Sequence, residues 1–117
     1  MDRSAFPVVA TDLGRISVSA EAVAQIVGHV AAESYGVVGM AGRRFPRLPG
    51  RDRLTEGIEV KGRDGSVEID LHIVIEYGLN LAEVASGLRS RVAYEVERQT
   101  GLKVSAVEVR VEDVRRS

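Results

Sequence analysis

The chain has 117 residues, with 16 basic and 17 acidic side chains, a net charge of −1 and no cysteine. This length predicts a single domain with a core of its own. The balanced charge excludes a whole-chain footprint for nucleic acid. The absence of cysteine excludes disulfides, thiolate catalysis and cysteine-based metal sites.

The sequence shows neither a signal peptide nor the roughly 20 apolar residues that a membrane helix needs. Its aromatic residues are two phenylalanines and three tyrosines, too few for a base-stacking platform. We therefore expect a cytoplasmic protein; if it acts at a membrane, a partner must bring it there. Nucleic acid is not an expected partner of the domain as a whole.

The first part of the chain predicts a leader, a strand and a helix. Residues 1–13 have no periodic pattern and are predicted to form a flexible leader. A short alternating strand over 15–18 leads to Ser19, whose hydroxyl suits a helix N-cap. Apolar residues at helical spacing predict a helix over 20–35, and Gly36 suits the left-handed position that ends it. The predicted buried stripe consists of Val23, Ile26, Val27, Val30 and Ala31.

A short apolar strand over 37–40 precedes a basic loop at 43–55. Residues 43–53 contain five arginines and one aspartate, a net charge of +4, and two of the three prolines. Proline cannot donate to a sheet ladder, so an exposed loop is predicted. Three interpretations stay open: a solvated loop, a contact for anionic lipid or for an acidic or phosphorylated protein, and a nucleic-acid contact. The candidate contact residues are Arg43, Arg44, Arg47, Arg51 and Arg53.

A hairpin is predicted in the middle of the chain. A strand over 58–61 is followed by Asp64-Gly65, a strong signal for a two-residue turn. The return strand over 67–77 alternates between an apolar face and a polar face, which predicts that one face packs and the other meets water. Only Val74 breaks this alternation. An outward-facing Val74, together with Tyr94 further along, hints at a contact between copies of the chain.

A second helix and a final strand complete the pattern. Asn80 suits the N-cap of the helix, and Gly101 ends it. The predicted buried stripe consists of Leu81, Val84, Ala85, Leu88, Val92 and Val96. The last strand covers 104–111, and Val104 is out of phase with its alternation, which predicts a bulge. Residues 115–117 are predicted to form a tail.

The resulting order is β-α-β-β-β-α-β within a single domain over residues 14–114. Two helices with one apolar stripe each, and strands with one apolar face each, favour an α+β two-layer sandwich. Both helices then pack on one face of a mixed sheet. The other face is predicted to carry charged cross-strand neighbours, namely Glu59, Lys61, Glu68, Asp70, His72 and Glu108.

Candidate chemistry is sparse. Asp70 and His72 share a strand face and could begin a metal site, and Glu68 could form a carboxylate pair with Asp70 or Glu76. The sequence favours a charge-paired surface for both sets, because it implies no pocket around them. The glycines of 36–42 follow a helix instead of opening one, so they do not form a phosphate cradle. We predict no catalytic residue, no cofactor and no metal.

The strand and helix motifs resemble one known family. Gly14-x-Ile16-x-Val18-Ser19 is followed by an alanine- and valine-rich helix and then by Gly36-Val37-Val38-Gly39-Met40. Thr100-Gly101-Leu102-x-Val104 precedes the alternating valines of the last strand. These motifs, which cover residues 14–114, resemble the alkaline shock protein family, also called the envelope stress response family of Gram-positive bacteria.

The resemblance implies a non-enzymatic cytoplasmic protein linked to cell-envelope stress response or homeostasis. The short chain is most similar to the housekeeping branch of the family. The resemblance further implies that the protein self-associates as a homo-oligomer. It also implies protein partners, either a membrane anchor protein or a neighbour of the fatty-acid-kinase type. The alternative is an anionic-lipid or nucleic-acid binder that acts through the arginine-rich loop 43–53.

Overall fold

The computed structural model describes residues 5–40, 55–63 and 65–116. Within them the order is β-β-α-β-β-β-α-β, which adds one strand at the start to the predicted order. The elements are β1 (Ala5–Thr11), β2 (Gly14–Ser19), α1 (Ala20–Ala32), β3 (Val37–Met40), β4 (Ile58–Arg63), β5 (Ser66–Glu76), α2 (Leu81–Thr100) and β6 (Lys103–Arg115).

The long strand β5 is the centre of the main sheet. One of its edges pairs with β4 along its first half and with β3 along its second half, both antiparallel. Its other edge pairs with β6 in parallel along its whole length, because α2 returns the chain to the starting end. The sheet is therefore mixed, as predicted. The register Arg63↔Ser66 confirms the tight hairpin, with Gly65 at a φ of +80°.

Both helices cover the same face of this sheet. The β5 residues on that face are Val67, Ile69, Leu71, Ile73 and Ile75, each at most 2% exposed. They pack with fully buried residues of α1 and α2, such as Val23, Val27 and Val92, in one hydrophobic cluster. The two-layer α+β sandwich predicted from the two apolar stripes is confirmed.

The helix termini follow the predicted capping residues closely. Ser19 Oγ accepts a hydrogen bond from the Ala22 backbone N–H at 3.0 Å, and Asn80 Oδ1 accepts one from Glu83 N–H at 3.0 Å. Gly101 adopts the left-handed conformation at the end of α2. Helix α1 ends earlier than predicted, at Ala32, so Gly36 lies in the turn that leads to β3.

The prediction that Leu81 belongs to the buried stripe of α2 is wrong. Leu81 is 39% exposed, whereas Leu88, Val92 and Val96 are buried. Leu81 is the first residue of the helix, and the buried residues of α2 begin further along, at Leu88.

The prediction of an irregular leader over 1–13 is wrong for the residues that the structure describes. Ala5–Thr11 pairs with β2 as an antiparallel hairpin. Phe6 is 7% exposed and belongs to the core cluster, and its ring occupies the space where a side chain at Gly62 of β4 would lie. Val8 lies close to Gly101 at the end of α2. The hairpin thus covers the end of the sandwich where β4 meets β5.

Strand β6 is longer than predicted and carries two irregularities. The register shifts between the pairs Val67↔Val104 and Glu68↔Ala106, which confirms the predicted bulge. A second shift separates Ile73↔Val111 from Val74↔Asp113. The strand continues to Arg115, which pairs with Glu76, so the first residue of the tail predicted at 115–117 belongs to β6.

Candidate functional site

The sheet face that the helices leave uncovered gathers the polar residues predicted for it. Across three neighbouring strands, Asp70 lies between Glu59 of β4 and Glu108 of β6. Lys61 lies opposite Glu68 in the next pair along. We name this surface the outer sheet face, and it forms a shallow open depression of about 200 Å³.

Arg110 compensates the row of carboxylates on the outer sheet face. Its Nε donates to Asp70 Oδ1 at 3.0 Å, and its Nη2 lies 3.8 Å from Glu108 Oε1. The hydrogen bond to Asp70, followed by the charges of Asp70 and Glu108, raises the pKa of Arg110 above its usual value. Arg110 therefore stays charged and holds the carboxylates of two strands together.

His72 completes this charged surface. Its Nδ1 lies 2.7 Å from Glu112 Oε2, and its Nε2 lies 3.9 Å from Asp70 Oδ1. Donor atoms of Glu59, Asp70 and His72 all lie within 4.8 Å of one another, a spacing compatible with a metal ion. However, Arg110 already engages Asp70 and Glu112 already engages His72. These contacts support the charge-paired interpretation that the sequence favoured.

The second histidine lies in the other layer of the molecule. His29 is exposed on α1 and lines a polar groove between the two helices, together with Ile26 of the same helix and Arg91 and Glu95 of α2. Hydrogen bonds from Arg98 and then from Gln99 lower the pKa of Glu95. The structure therefore brings Asp70 and His72 together, as predicted, and separates His29 from both.

The five candidate arginines, Arg43, Arg44, Arg47, Arg51 and Arg53, lie outside the described residues. The structure does fix where the chain leaves and re-enters the sheet. Met40 pairs with Ile73 of β5, and Gly57 O accepts a hydrogen bond from His72 N–H at 2.9 Å. The basic loop thus departs from and returns to neighbouring positions along one edge of β5.

Exposed aromatic and aliphatic residues gather at the opposite end from the β1–β2 hairpin. Tyr35 is 79% exposed and Tyr77 is 58% exposed, and both precede a glycine with positive φ. Glu76 N–H donates to Gly36 O at 2.8 Å, which joins the two tyrosine-containing turns. The guanidinium of Arg116 lies 4.6 Å from the centroid of the Tyr77 ring. We name this surface the tyrosine end; its other exposed apolar residues are Val38, Leu81 and Val114.

Sequence reasoning missed the tyrosine end, because Tyr77 continued the apolar alternation of the strand before it. The repeated Tyr-Gly pair, at 35–36 and 77–78, was the available signal. A glycine that turns the chain directly after a tyrosine leaves the ring at the end of an element, where little covers it.

The hint that Val74 forms a contact between copies is wrong. Val74 is 2% exposed, although it belongs to the outer sheet face. The register shifts on both neighbouring strands, so that Gly39 of β3 and Asp113 of β6 pair with Val74. Tyr94 is 64% exposed on α2, as predicted from its position away from the buried stripe.

Fold and surface together define a small two-layer α+β domain with an open, charge-paired sheet face. A family model described as the Asp-23 family, with a cell envelope-related function, matches residues 8–116. The chain therefore belongs to this family, the alkaline shock protein family that its motifs resemble. The match includes β1 from Val8 onward, which the resemblance had left out.

Two relatives illustrate the match. The protein YloU of Bacillus subtilis (strain 168) is 31% identical over 110 residues, which cover 90% of this chain and 92% of that protein. A stress response regulator gls24 homolog of Streptococcus pyogenes serotype M3 is 28% identical over 106 residues. That alignment covers 87% of this chain but 59% of the longer relative.

Solved structures share the fold. The structure titled MamM-CTD 215-293 superposes with a TM-score of 0.52 and 15% sequence identity, covering 80% of this chain and 98% of that chain. At this identity the similarity concerns the arrangement of the elements alone. Neither described helix of our chain is long and apolar enough to cross a membrane.

Proposed function

We propose that this chain is a non-catalytic interaction protein of the cell envelope, acting through protein–protein contacts and self-association. It works in the cytoplasm and reaches the membrane through a partner. The observation that carries the proposal is the tyrosine end, where two strongly exposed tyrosines and three exposed aliphatic residues surround the junction of β3, β5 and β6. Exposed aromatic residues beside an arginine are typical of protein interfaces.

The outer sheet face supports a non-catalytic role. A general acid or base needs a group whose environment tunes its proton affinity in a site that limits water. Here the carboxylates of Asp70 and Glu108 face Arg110, and the ring of His72 faces Glu112, on a surface open to solvent. Such ion pairs are typical of a stable, solvated surface. We therefore assign the recognition of partners to the ends and edges of the sheet.

Two partner classes follow from the family resemblance: a membrane anchor protein and a neighbour of the fatty-acid-kinase type. The family to which the chain belongs is described by a cell envelope-related function, the setting in which a membrane anchor protein acts. One relative is named a stress response regulator, which supports a role in stress response. The net charge of +4 over residues 43–53 adds a second contact for an acidic partner surface.

The experiment is an affinity capture from native lysate of the source cells, read by mass spectrometry and repeated with purified candidates of both classes. Tagged wild type is compared with Tyr35→Ser/Tyr77→Ser and with a variant in which the five arginines are changed to serine. Tyr94→Ser is the matched control, because Tyr94 has similar exposure on a different surface.

We expect a partner of one of the two classes to bind wild type and Tyr94→Ser and to be lost by the double tyrosine variant. Equal capture by wild type and the double tyrosine variant contradicts the role of the tyrosine end. Loss in the arginine variant alone, with binding to anionic vesicles or nucleic acid that falls steeply with salt, replaces the proposal with the alternative ligand class.

A further inference from the structure

Strand β6 has one edge that no described strand occupies. Its other edge pairs with β5 from Lys103 to Arg115. Helix α2 packs on one face of β6 and reaches the outer edge at the start of the strand, where Glu97 Oε2 accepts a hydrogen bond from the Val104 backbone N–H at 2.9 Å. An edge strand of this length presents a row of backbone N–H and C=O groups that can pair with another strand.

The hydrogen bonds of β5 show which residues of β6 face the open edge. His72 N–H donates to Gly57 O on the β4 side, so Ile69, Leu71 and Ile73 direct their backbone groups toward β6. In a parallel ladder these residues bond the β6 residues opposite Asp70 and His72, which are Glu108 and Arg110. Val107, Val109 and Val111 therefore present their N–H and C=O groups at the open edge.

The side chains along this segment are complementary to themselves. We infer that the open edge of β6 pairs antiparallel with the same edge of a second copy, with the two Val109 residues at the two-fold axis. This register places Glu108 of each copy opposite Arg110 of the other on the outer sheet face. It also places Val107 opposite Val111 on the helix side. About six backbone hydrogen bonds join the two strands.

Neighbouring registers fit less well. A two-fold axis at Val107 places Glu108 opposite Ala106, so it brings no opposite charge of the second copy to Glu108. An axis at Val111 requires pairing through the irregularity that separates Val111 from Asp113. The regular part of β6 lies between its two register shifts, at residues 106–111, and an axis at Val109 keeps most of the pairing within it.

The pairing has a closed geometry. A two-fold antiparallel contact uses the same edge on both copies, so it forms a dimer and leaves no further β6 edge open. The two sheets become one continuous sheet with β5 of each copy inside it. This inference rests on the self-association included in the proposed function, and it assigns that self-association to one edge and one register.

The test is sedimentation equilibrium of purified protein across a broad concentration range. Glu108→Arg places an arginine opposite Arg110 of the second copy at two symmetric positions, so we expect about tenfold weaker dimerisation. Within one copy the new arginine lies opposite Asp70, which preserves the fold. The charge-swapped variant Glu108→Arg/Arg110→Glu restores opposite charges across the axis, so we expect dimerisation to recover.

Glu59→Arg is the matched control, because it makes the same charge change on the outer sheet face but on β4. It should leave dimerisation unchanged, and circular dichroism checks the fold of every variant. A monomeric wild type, or equal weakening by Glu108→Arg and Glu59→Arg, overturns the inference. If the charge-swapped variant does not fold, the comparison of the two single variants decides.

The two proposals fail differently. A wild type that self-associates as strongly as Glu108→Arg moves the contact to another surface and leaves the interaction function standing. A capture experiment without a partner overturns the interaction function and leaves the dimer contact standing, because sedimentation of purified protein tests that contact separately.

Discussion

Phe6 and Gly62 form a pair in which one added methyl group decides whether an aromatic ring can stay in the core. A Cβ at Gly62 overlaps the Phe6 ring, and Phe6 is only 7% exposed. Gly62→Ala therefore displaces the ring from the core. The exposure of its apolar surface to water costs about 1.5–3 kcal/mol of stability. Replacing glycine within a strand returns about 0.5–1 kcal/mol. The expected net destabilisation is about 0.5–2.5 kcal/mol.

The sign of this effect reverses once the ring is absent. In a Phe6→Ala background the ring that the new methyl group overlaps is absent, so we expect Gly62→Ala to stabilise the protein by about 0.5–1 kcal/mol. Urea denaturation followed by circular dichroism measures all four free energies of unfolding. Hydrogen exchange of the β1 and β2 amides shows whether the hairpin detaches. Equal destabilisation by Gly62→Ala in both backgrounds refutes the reasoning.

Three further outcomes are expected. Val92→Asp places an unpaired carboxylate in the core at a residue that is 0% exposed, so it should cost several kcal/mol. It should remove the cooperative thermal transition seen by circular dichroism, whereas Ser90→Asp, at an exposed residue of the same helix, should keep that transition. Gly36→Ala and Gly78→Ala both force a side chain into positive φ, at about 1–2 kcal/mol. Gly36→Ala should cost more in urea denaturation, because its Cβ lies 2.8 Å from Leu79 Cδ1 while Gly78 has open space; equal costs contradict this. Hydrogen bonds from Arg98 and Gln99 lower the pKa of Glu95, so its ionisation stabilises the fold above pH 4.5, and this contribution disappears as the pH falls through the lowered pKa. Titration by NMR should place that pKa below 4.5 and show it rising in Arg98→Ala.

The main sheet and its helices could be predicted because their residues repeat with a clear period. The alternation from Val67 to Ile75 predicted both faces of β5, and the stripe through Leu88, Val92 and Val96 predicted the buried side of α2. The caps at Ser19 and Asn80 were predictable because a side chain bonds to a backbone only three residues away. Local chemistry of this kind is visible in one sequence.

The N-terminal strand could not be predicted, because the residues that pack together to hold it in place lie far apart in the sequence. No residue close to Phe6 in the sequence indicates that a glycine in another strand leaves room for its ring. The buried Val74 likewise lies beside register shifts on two strands that are distant from it in the sequence. On the outer sheet face the sequence predicted which charges share the surface, but it did not predict that Arg110 binds Asp70 or that His72 binds Glu112.

The arrangement of β3 and β4 along one edge of β5 has a practical consequence. Met40 pairs with Ile73, and Gly57 accepts a hydrogen bond from His72, so the intervening chain begins and ends beside adjacent residues of one strand. Each doubling of a loop's length costs only about 0.6 kcal/mol in closure entropy. The position between β3 and β4 is therefore a natural insertion point, where an affinity tag or a fluorescent domain can be accommodated without changing the register of the sheet.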